Sequence, residues 1–319
     1  MVENQTITFK KQTLSGWHWL DSDYYAEGSE QVRLLPKVSR PSRWLPFVFL
    51  HLGALLALAY TASPFTLSMV AALYFIRMFA VTAFYHRYFS HRTFKTSRLV
   101  QFLFAVLATS SAQRGPLWWA AHHRSHHKLS DREGDLHSPH VSGLLWSHIG
   151  WITADANMPT DYGAVQDLAK YPELVWLNRF DWLPPTALAL SLIGLGFVLE
   201  KVSPGLGSGP MQLLLWGFFV STVLLFHGTA TINSLTHLFG SVRYETNDQS
   251  RNNFLLALIT LGEGWHNNHH RYPGSTRQGF YWWEIDCTYY FLVVLSWLGI
   301  VWDLHPVPAQ VYLPTEGER

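Results

Sequence analysis

Between Trp44 and Ile76 the sequence contains no Asp, Glu, Lys or Arg, and this apolar run is broken only near TASPF at 61–65. A helix that crosses the hydrocarbon core of a bilayer needs about 20 apolar residues, and it must satisfy its own backbone hydrogen bonds. The run therefore reads as two spans, 45–61 and 65–85, joined by a tight turn. A second uncharged pair follows: LPPTALALSLIGLGFVL (183–199), the turn PGLGSGP (204–210) and MQLLLWGFFVSTVLLFHGTATINSL (211–235). Four spans in two hairpins specify an all-α integral membrane protein with four transmembrane helices. Composition points the same way: 14% of the residues are charged, against about 25% in an ordinary soluble domain. A formal charge of +1 gives no electrostatic basis for binding nucleic acid. The single cysteine, Cys287, excludes an intramolecular disulfide framework and a cysteine zinc site.

Lys and Arg set the orientation of such a chain. The N-terminal stretch holds six (Lys10, Lys11, Arg33, Lys37, Arg40, Arg43), residues 86–182 hold ten, and the stretch after 235 holds five. The two hairpin turns hold one, Lys201. The expected division is a cytoplasmic N-terminal tail (1–44), a membrane-embedded domain (45–305) with a cytoplasmic helical cap built from 86–182 and 236–305, and a C-terminal tail (306–319). Both termini then face the cytoplasm, across a bacterial inner membrane or an endoplasmic reticulum. Two shorter apolar segments, 99–112 and 288–302, read either as core helices of the cap or as helices lying in the headgroup plane.

The chemistry is concentrated in histidine. WWAAHHRSHHKLSD (118–131) places His123, His126 and His127 at i, i+3, i+4, on one helical face. GEGWHNNHHRYP (262–273) repeats the spacing with His266, His269 and His270, and YHRYFSH (85–91) adds His86 and His91. These last two are five apart and cannot share an α-helical face, so the second span is expected to end between them. His237 follows one turn after Asn233. Isolated histidines such as His18, His51 and His305 are ordinary polar residues, and His227 is expected to bond a neighbouring helix. Nine imidazoles in such clusters would repel if protonated, and if neutral would leave lone pairs without donors. A metal resolves both conditions. Four to six ligands serve one ion, so nine imply two ions. HExxH is absent, which removes the commonest zinc-hydrolase reading. The Glu and ExxH pattern of soluble di-iron bundles is also missing. Imidazole suits iron, copper and nickel as well as zinc.

The boxes HRYFSH, HHRSHH and HNNHH, with the flanks HRTFKT, HHKLSDREGD, SHIGW, NSLTHLFG and GEGWHNNHH, resemble in order and spacing the membrane fatty acyl desaturases of the stearoyl-CoA 9-desaturase branch, over residues 45–305. The resemblance implies a di-iron centre that uses O2 and two external electrons to place a cis double bond between carbons 9 and 10 of a saturated acyl thioester, an acyl-CoA of 16 or 18 carbons. Carried over by position, His86, His91, His123, His127 and His269 would hold one iron, and His126, His237, His266 and His270 the other, with Asn233 reaching it through water. The metal ligands are the only catalytic groups implied. Gln113, Trp119 and Thr229 match residues that shape the bend of the acyl tunnel, and Tyr74 and Met78 match positions that close its far end. His122 has no ligand counterpart and is expected to orient a ligand or a carboxylate. His137, His140 and His148 are expected in structural or supporting places, and Asp131, Glu133, Asp135 and Glu263 are acids that could accept ligand N–H bonds.

Where animal enzymes of this branch carry an Arg-Asp pair that helps to hold coenzyme A, this chain has Ala121 and His122. Acyl carrier protein and intact lipid therefore stand beside coenzyme A as carriers. No haem-binding HPGG motif occurs, because His305-Pro306 is followed by Val-Pro. Electrons are thus expected from a separate protein of ferredoxin, rubredoxin or cytochrome b5 type. A membrane hydroxylase of a lipid or alkyl substrate would use the same boxes, and a metal transporter would also be histidine-rich. Transport sites, however, lie near the bilayer midplane, whereas these histidines gather beyond the span ends.

Overall fold

The computed structural model describes residues 16–313. Lys10 and Lys11, and everything after 313, lie outside the described residues. Eight helices frame the molecule: α1 Pro41–Ala59, α2 Pro64–Ser90, α3 Arg98–Thr109, α4 Pro116–Leu129, α5 Leu183–Val202, α6 Pro210–His237, α7 His266–Arg271 and α8 Cys287–Trp297. The strand content is one short antiparallel ribbon, β1 Lys95–Thr96 against β2 Val301–Trp302, among the described residues. Helices α1, α2, α5 and α6 are long and apolar enough to cross a membrane. Their most apolar windows are 11%, 44%, 17% and 56% buried, so α2 and α6 form the inner pair and α1 and α5 the outer one.

Local chemistry sets the helix starts. Pro64 occupies the first turn of α2, and Ser63 accepts a hydrogen bond from the Thr66 amide at 3.1 Å. Ser208 of the other hairpin turn bonds both Ser63 (2.9 Å) and Thr66 (2.8 Å), tying the two turns together. Gly196 of α5 lies so near the start of α6 that an added Cβ would sit 2.3 Å from Pro210 Cα. Arg77, fully buried in α2, donates to Ser110 O, Thr222 Oγ1 and Ser221 Oγ, bonding α2 to α6 and to the end of α3. His227 bonds His51 of α1 (3.0 Å) and His148 of the cap (2.9 Å), a contact with neighbouring elements of the kind anticipated for it.

The helix that carries the second span ends at Ser90, between His86 and His91 as expected, and its last eleven residues, Ala80–Ser90, form a π-helix. The described part of the N-terminal stretch packs on the cap. Asp21 pairs with Arg179, Asp23 accepts from Thr160 N and Tyr162 Oη, and Arg33 pairs with Asp161 at 2.6 Å. These partners lie more than a hundred residues away, beyond the reach of local pattern. Similarly, Val311 O accepts from Tyr281 Oη and Tyr312 Oη donates to Phe280 O, so the C-terminal stretch also packs on the cap. The short apolar helices α3 and α8 pack one face on the core through Ala105, Ala108 and Leu292 and leave Leu99, Leu103, Phe291 and Trp297 exposed.

Candidate metal centre

The π-helical end of α2 accounts for the first histidine box. In an α-helix, positions five apart point about 140° away from each other. A π-helix bonds i to i+5 and brings such positions onto one face. The His91 amide donates to His86 O at 3.2 Å, and the two rings lie 4.9 Å apart. All eleven residues of this segment are buried.

Helix α4 supplies the second box. Pro116 sits in its first turn, and Asn178 Oδ1 accepts from the Leu117 and Trp118 amides (3.1 and 2.9 Å), capping the helix from outside. Helix α7 is only six residues long and is held by its two asparagines. Asn267 Oδ1 accepts from the amides of Arg243 and Tyr244, while Asn268 bonds Asn252, Gln278 O and Glu284. The NN of HNNHH therefore clamps the turn that carries the third box.

The nine histidines converge as two groups. Ligand nitrogens of His86, His91, His123, His127 and His269 lie within 4.8 Å of one another, and so do those of His126, His237, His266 and His270. Each i, i+3, i+4 triplet divides its members between the groups, which interleave: the His127 and His270 rings stack at 4.4 Å. Asn233 lines both internal cavities beside these groups.

Carboxylates back the rings. Asp131 accepts from His237 Nδ1 (2.7 Å), Asp135 from His126 Nδ1 (3.0 Å) and Asp248 from His270 Nδ1 (2.6 Å); Glu263 lies 2.5 Å from His86 Nδ1 and also pairs with Arg87. Burial would raise Asp131, but hydrogen bonds from His237 and Ser138 hold it down at about 2. Asp135 and Asp248 are likewise held well below the ordinary range by His126 and His270 against the effect of burial. Burial, then the crowding of imidazoles, pushes His91, His123, His127, His266 and His269 well below the ordinary histidine range. These rings are neutral at pH 7, as a metal ligand must be.

That protonation leaves nitrogens without partners. His237 Nδ1 donates to Asp131, and its Nε2 faces His266 Nε2, 3.0 Å away. His266 Nδ1 is buried with no hydrogen-bond partner, so either tautomer of His266 leaves one nitrogen unsatisfied. His270 Nε2 is also buried and unpartnered. The Nε2 pairs His86–His269, His91–His123 and His127–His269 stand 3.0, 2.8 and 3.0 Å apart. Nitrogens bound at right angles to one cation at about 2.1 Å are about 3.0 Å apart, so the residues present fit two metal ions.

Two cavities meet beside the histidine groups. A cavity of about 240 Å³ is lined by Gln113, Trp119, His123, Thr229 and Asn233, with Arg43, Phe47 and His148 toward one side. A smaller one of about 30 Å³ is lined by Met78, Thr82, His86, Thr260 and Glu263. Trp119, His123, Thr229 and Asn233 line both. At that junction Gln113 Nε2 donates to Thr229 Oγ1 (3.1 Å), and Trp119 stacks on His123. Met78 is buried, not turned outward. Tyr74 lines neither cavity; it packs behind Met78, and its hydroxyl donates to Ile259 O at 2.6 Å.

His122 is placed differently from its expected role. Its Nδ1 proton goes to Trp118 O (2.9 Å) and its ring stacks on Trp118, with no hydrogen bond to any of the nine histidines or their carboxylates. Glu133 is exposed and makes no contact with a ligand ring. The His137 ring lies tilted against His126 with centroids 4.3 Å apart, and His140 donates to His237 O. Sequence reasoning missed Asp248, 22 residues before its histidine, and Gln278, whose Nε2 lies 3.3 Å from His86 Nδ1. Neither stands in a motif that would have marked it.

A family model described as fatty acid desaturase matches residues 62–292. The chain is 35% identical over 316 residues to the sn-1 stearoyl-lipid 9-desaturase of Synechocystis sp., covering 97% of this chain and 93% of that protein. It is 37% identical over 249 residues to Delta-9 acyl-lipid desaturase 2 of Arabidopsis thaliana, covering 77% and 74%. It is 34% identical over 278 residues to Acyl-CoA 5-desaturase AL21 of Anemone leveillei, covering 83% and 81%.

Proposed function

This chain belongs to the fatty acid desaturase family, and we propose that within it the chain removes two vicinal hydrogens from carbons 9 and 10 of a saturated acyl group of 16 or 18 carbons, leaving a cis double bond. His86, His91, His123, His127 and His269 would hold one iron, and His126, His237, His266 and His270 the other, with Asn233 reaching the second through water. When bound, the irons supply the O2 chemistry that an unactivated methylene C–H requires, with two electrons from a separate ferredoxin, rubredoxin or cytochrome b5 type protein.

The chain's own residues thread, bend and stop the substrate. The supporting observation is that both cavities meet at Trp119, His123, Thr229 and Asn233, so a threaded chain passes a ligand histidine at the bend. A saturated chain offers no polar handle at its middle, so the reacting carbons are chosen by their distance from the carboxyl end to this bend. The Gln113–Thr229 hydrogen bond closes one side there, the Trp119 ring walls the other, and Met78 stops the methyl end. Buried carboxylates orient His86, His126, His237 and His270 through Nδ1, leaving Nε2 for metal. The charge distribution along the sequence supports a cytoplasmic cap with both termini on that side. Printed names of relatives include both acyl-lipid and acyl-CoA enzymes, and positions 9 and 5.

Expression in a host unable to make unsaturated fatty acids tests the reading. The expected product is a 9-monounsaturated chain two hydrogens lighter than its substrate, located by derivatisation and mass spectrometry. A product carrying an added oxygen would make the chain a hydroxylase, and a bond at another carbon would remove the 9-position.

A further inference from the structure

Arg77 is a cation inside an apolar span, and its side chain is fully buried. Such a group is costly in a bilayer and is kept where something depends on it. Its four hydrogen bonds go to neutral oxygens: Leu73 O (3.1 Å), Ser110 O (3.2 Å), Thr222 Oγ1 (2.9 Å) and Ser221 Oγ (2.5 Å). The first lies within α2 itself. The other three join α2 to α6 and to the turn that follows α3. Lysine carries its donors on one mobile nitrogen, whereas the planar guanidinium fixes them in a fork that reaches both elements at once.

That turn stands at the bend between the two cavities. Gln113 is at its tip, and the residues on either side, Ala112 and Arg114, have φ of 58° and 70°. Left-handed backbone at a non-glycine residue persists only where the surroundings hold it. Arg77 holds Ser110 O at one end, and Tyr85 Oη of α2 donates to Arg114 O at 2.8 Å at the other. Between them Gln113 Nε2 donates to Thr229 Oγ1 at 3.1 Å, while the Thr229 hydroxyl gives its own proton to Leu225 O. Along α6, Ser221 and Thr229 are eight residues and hence about 12 Å apart. The backbone from Ser110 to Gln113 spans at most about 11 Å. The tethered start of the turn therefore limits how far along α6 the Gln113 side chain can reach.

Building on the desaturase reading, we propose that Arg77 is a positioning residue for the site of desaturation: it ties the start of this turn to α6, fixes where Gln113 meets Thr229, and so sets which carbons of the acyl chain lie at the bend. The charge strengthens the tether, since hydrogen bonds from an ionised donor are roughly twice as strong as neutral ones. A residue that only packed α2 against α6 would be indifferent to Gln113.

The test expresses wild type, Arg77→Lys, Gln113→Ala and the double variant in a host unable to make unsaturated fatty acids, and locates the product bonds by mass spectrometry. Arg77→Lys should raise the fraction of product with its bond away from the wild-type carbon by about tenfold, the loss of one charge-assisted hydrogen bond. The double variant should scatter no more than Gln113→Ala alone, because Arg77 acts through Gln113. Without turnover, the amides of residues 111–115 in the iron-loaded full-length protein should exchange hydrogen about tenfold faster in Arg77→Lys, at unchanged iron content. Thr222→Val removes one acceptor and should move both measurements the same way by a smaller factor, which keeps the test open if Arg77→Lys does not fold. Bond positions that stay with wild type in both variants overturn the proposal. So does a double variant that scatters more than Gln113→Ala, or amides at 111–115 that exchange as in wild type. Scatter is measured against whichever carbon the wild type selects, and exchange is read without substrate, so failure of the 9-position reading is distinguishable from failure of this one.

Discussion

Replacing Met78 with alanine should lengthen the preferred substrate and leave the double bond where it was. Met78 lines the smaller cavity beyond the histidines, and Tyr74 packs behind it. The substitution removes three heavy atoms beyond Cβ, room for about two more methylenes at about 0.8 kcal/mol each when buried. The longer chain therefore gains about 1.6 kcal/mol in the transition state relative to the shorter, or about 15-fold in the ratio of kcat/KM values. Collapse of the neighbours would reduce that gain, but the Tyr74 hydroxyl is tied to Ile259 O, and α6 approaches closely at Gly228. Without substrate the variant should lose stability toward the low end of the 2–5 kcal/mol typical of buried Met→Ala changes. The assay offers 16-, 18- and 20-carbon substrates in competition and resolves the products by chromatography. Bond position should stay at carbon 9, because the bend at Gln113–Thr229 is untouched. An unchanged product ratio, or a bond that moves with chain length, would refute Met78 as the end of the slot.

Asp248→Asn should weaken iron retention at the His126 group by about 10- to 100-fold, the usual cost of losing a carboxylate behind a ligand histidine; equal iron content after a chelator challenge would count against it. The metal-free protein should lose thermal stability as pH falls from about 6.5 toward 4. The buried histidines have folded pKa values below the unfolded value, with His270 at about 4, so the unfolded chain takes up protons first and the stability present above about 6.5 is lost. A melting temperature that stays level or rises over that interval contradicts this account of the site. In a Cys287→Ser background, Gly205→Cys and Ser142→Cys should be labelled from opposite sides of the membrane; labelling of both from one side would break the two-hairpin topology.

The spans were legible because a long stretch without charge has few physical readings. The two triplets were legible because i, i+3, i+4 spacing can only gather side chains on one helical face. How nine histidines divide between two groups is another matter: spacing leaves it open, and the division came with the family resemblance. The widening of α2 left no mark in the sequence, since a change of backbone register from i+4 to i+5 requires no particular residue. Asp131, Asp135 and Glu263 stand within a few residues of a box and could be guessed. Asp248 and Asn178 act across 22 and 60 residues, where one acid or amide is indistinguishable from any other. The same limit hid the seating of residues 21–43, whose ion pairs reach past a hundred positions.

Neither histidine group is complete without α7. The five-membered group draws on residues from 86 to 269, and the four-membered group on residues from 126 to 270. A nascent chain emerging from the ribosome therefore carries its first six of these histidines, through His237 only after both hairpins are made, with no closed cage to offer. The cage shuts when the last sixth of the polypeptide folds back over α4. On the proposed reading, a chain clipped before α7 would lack members of both groups and retain no iron.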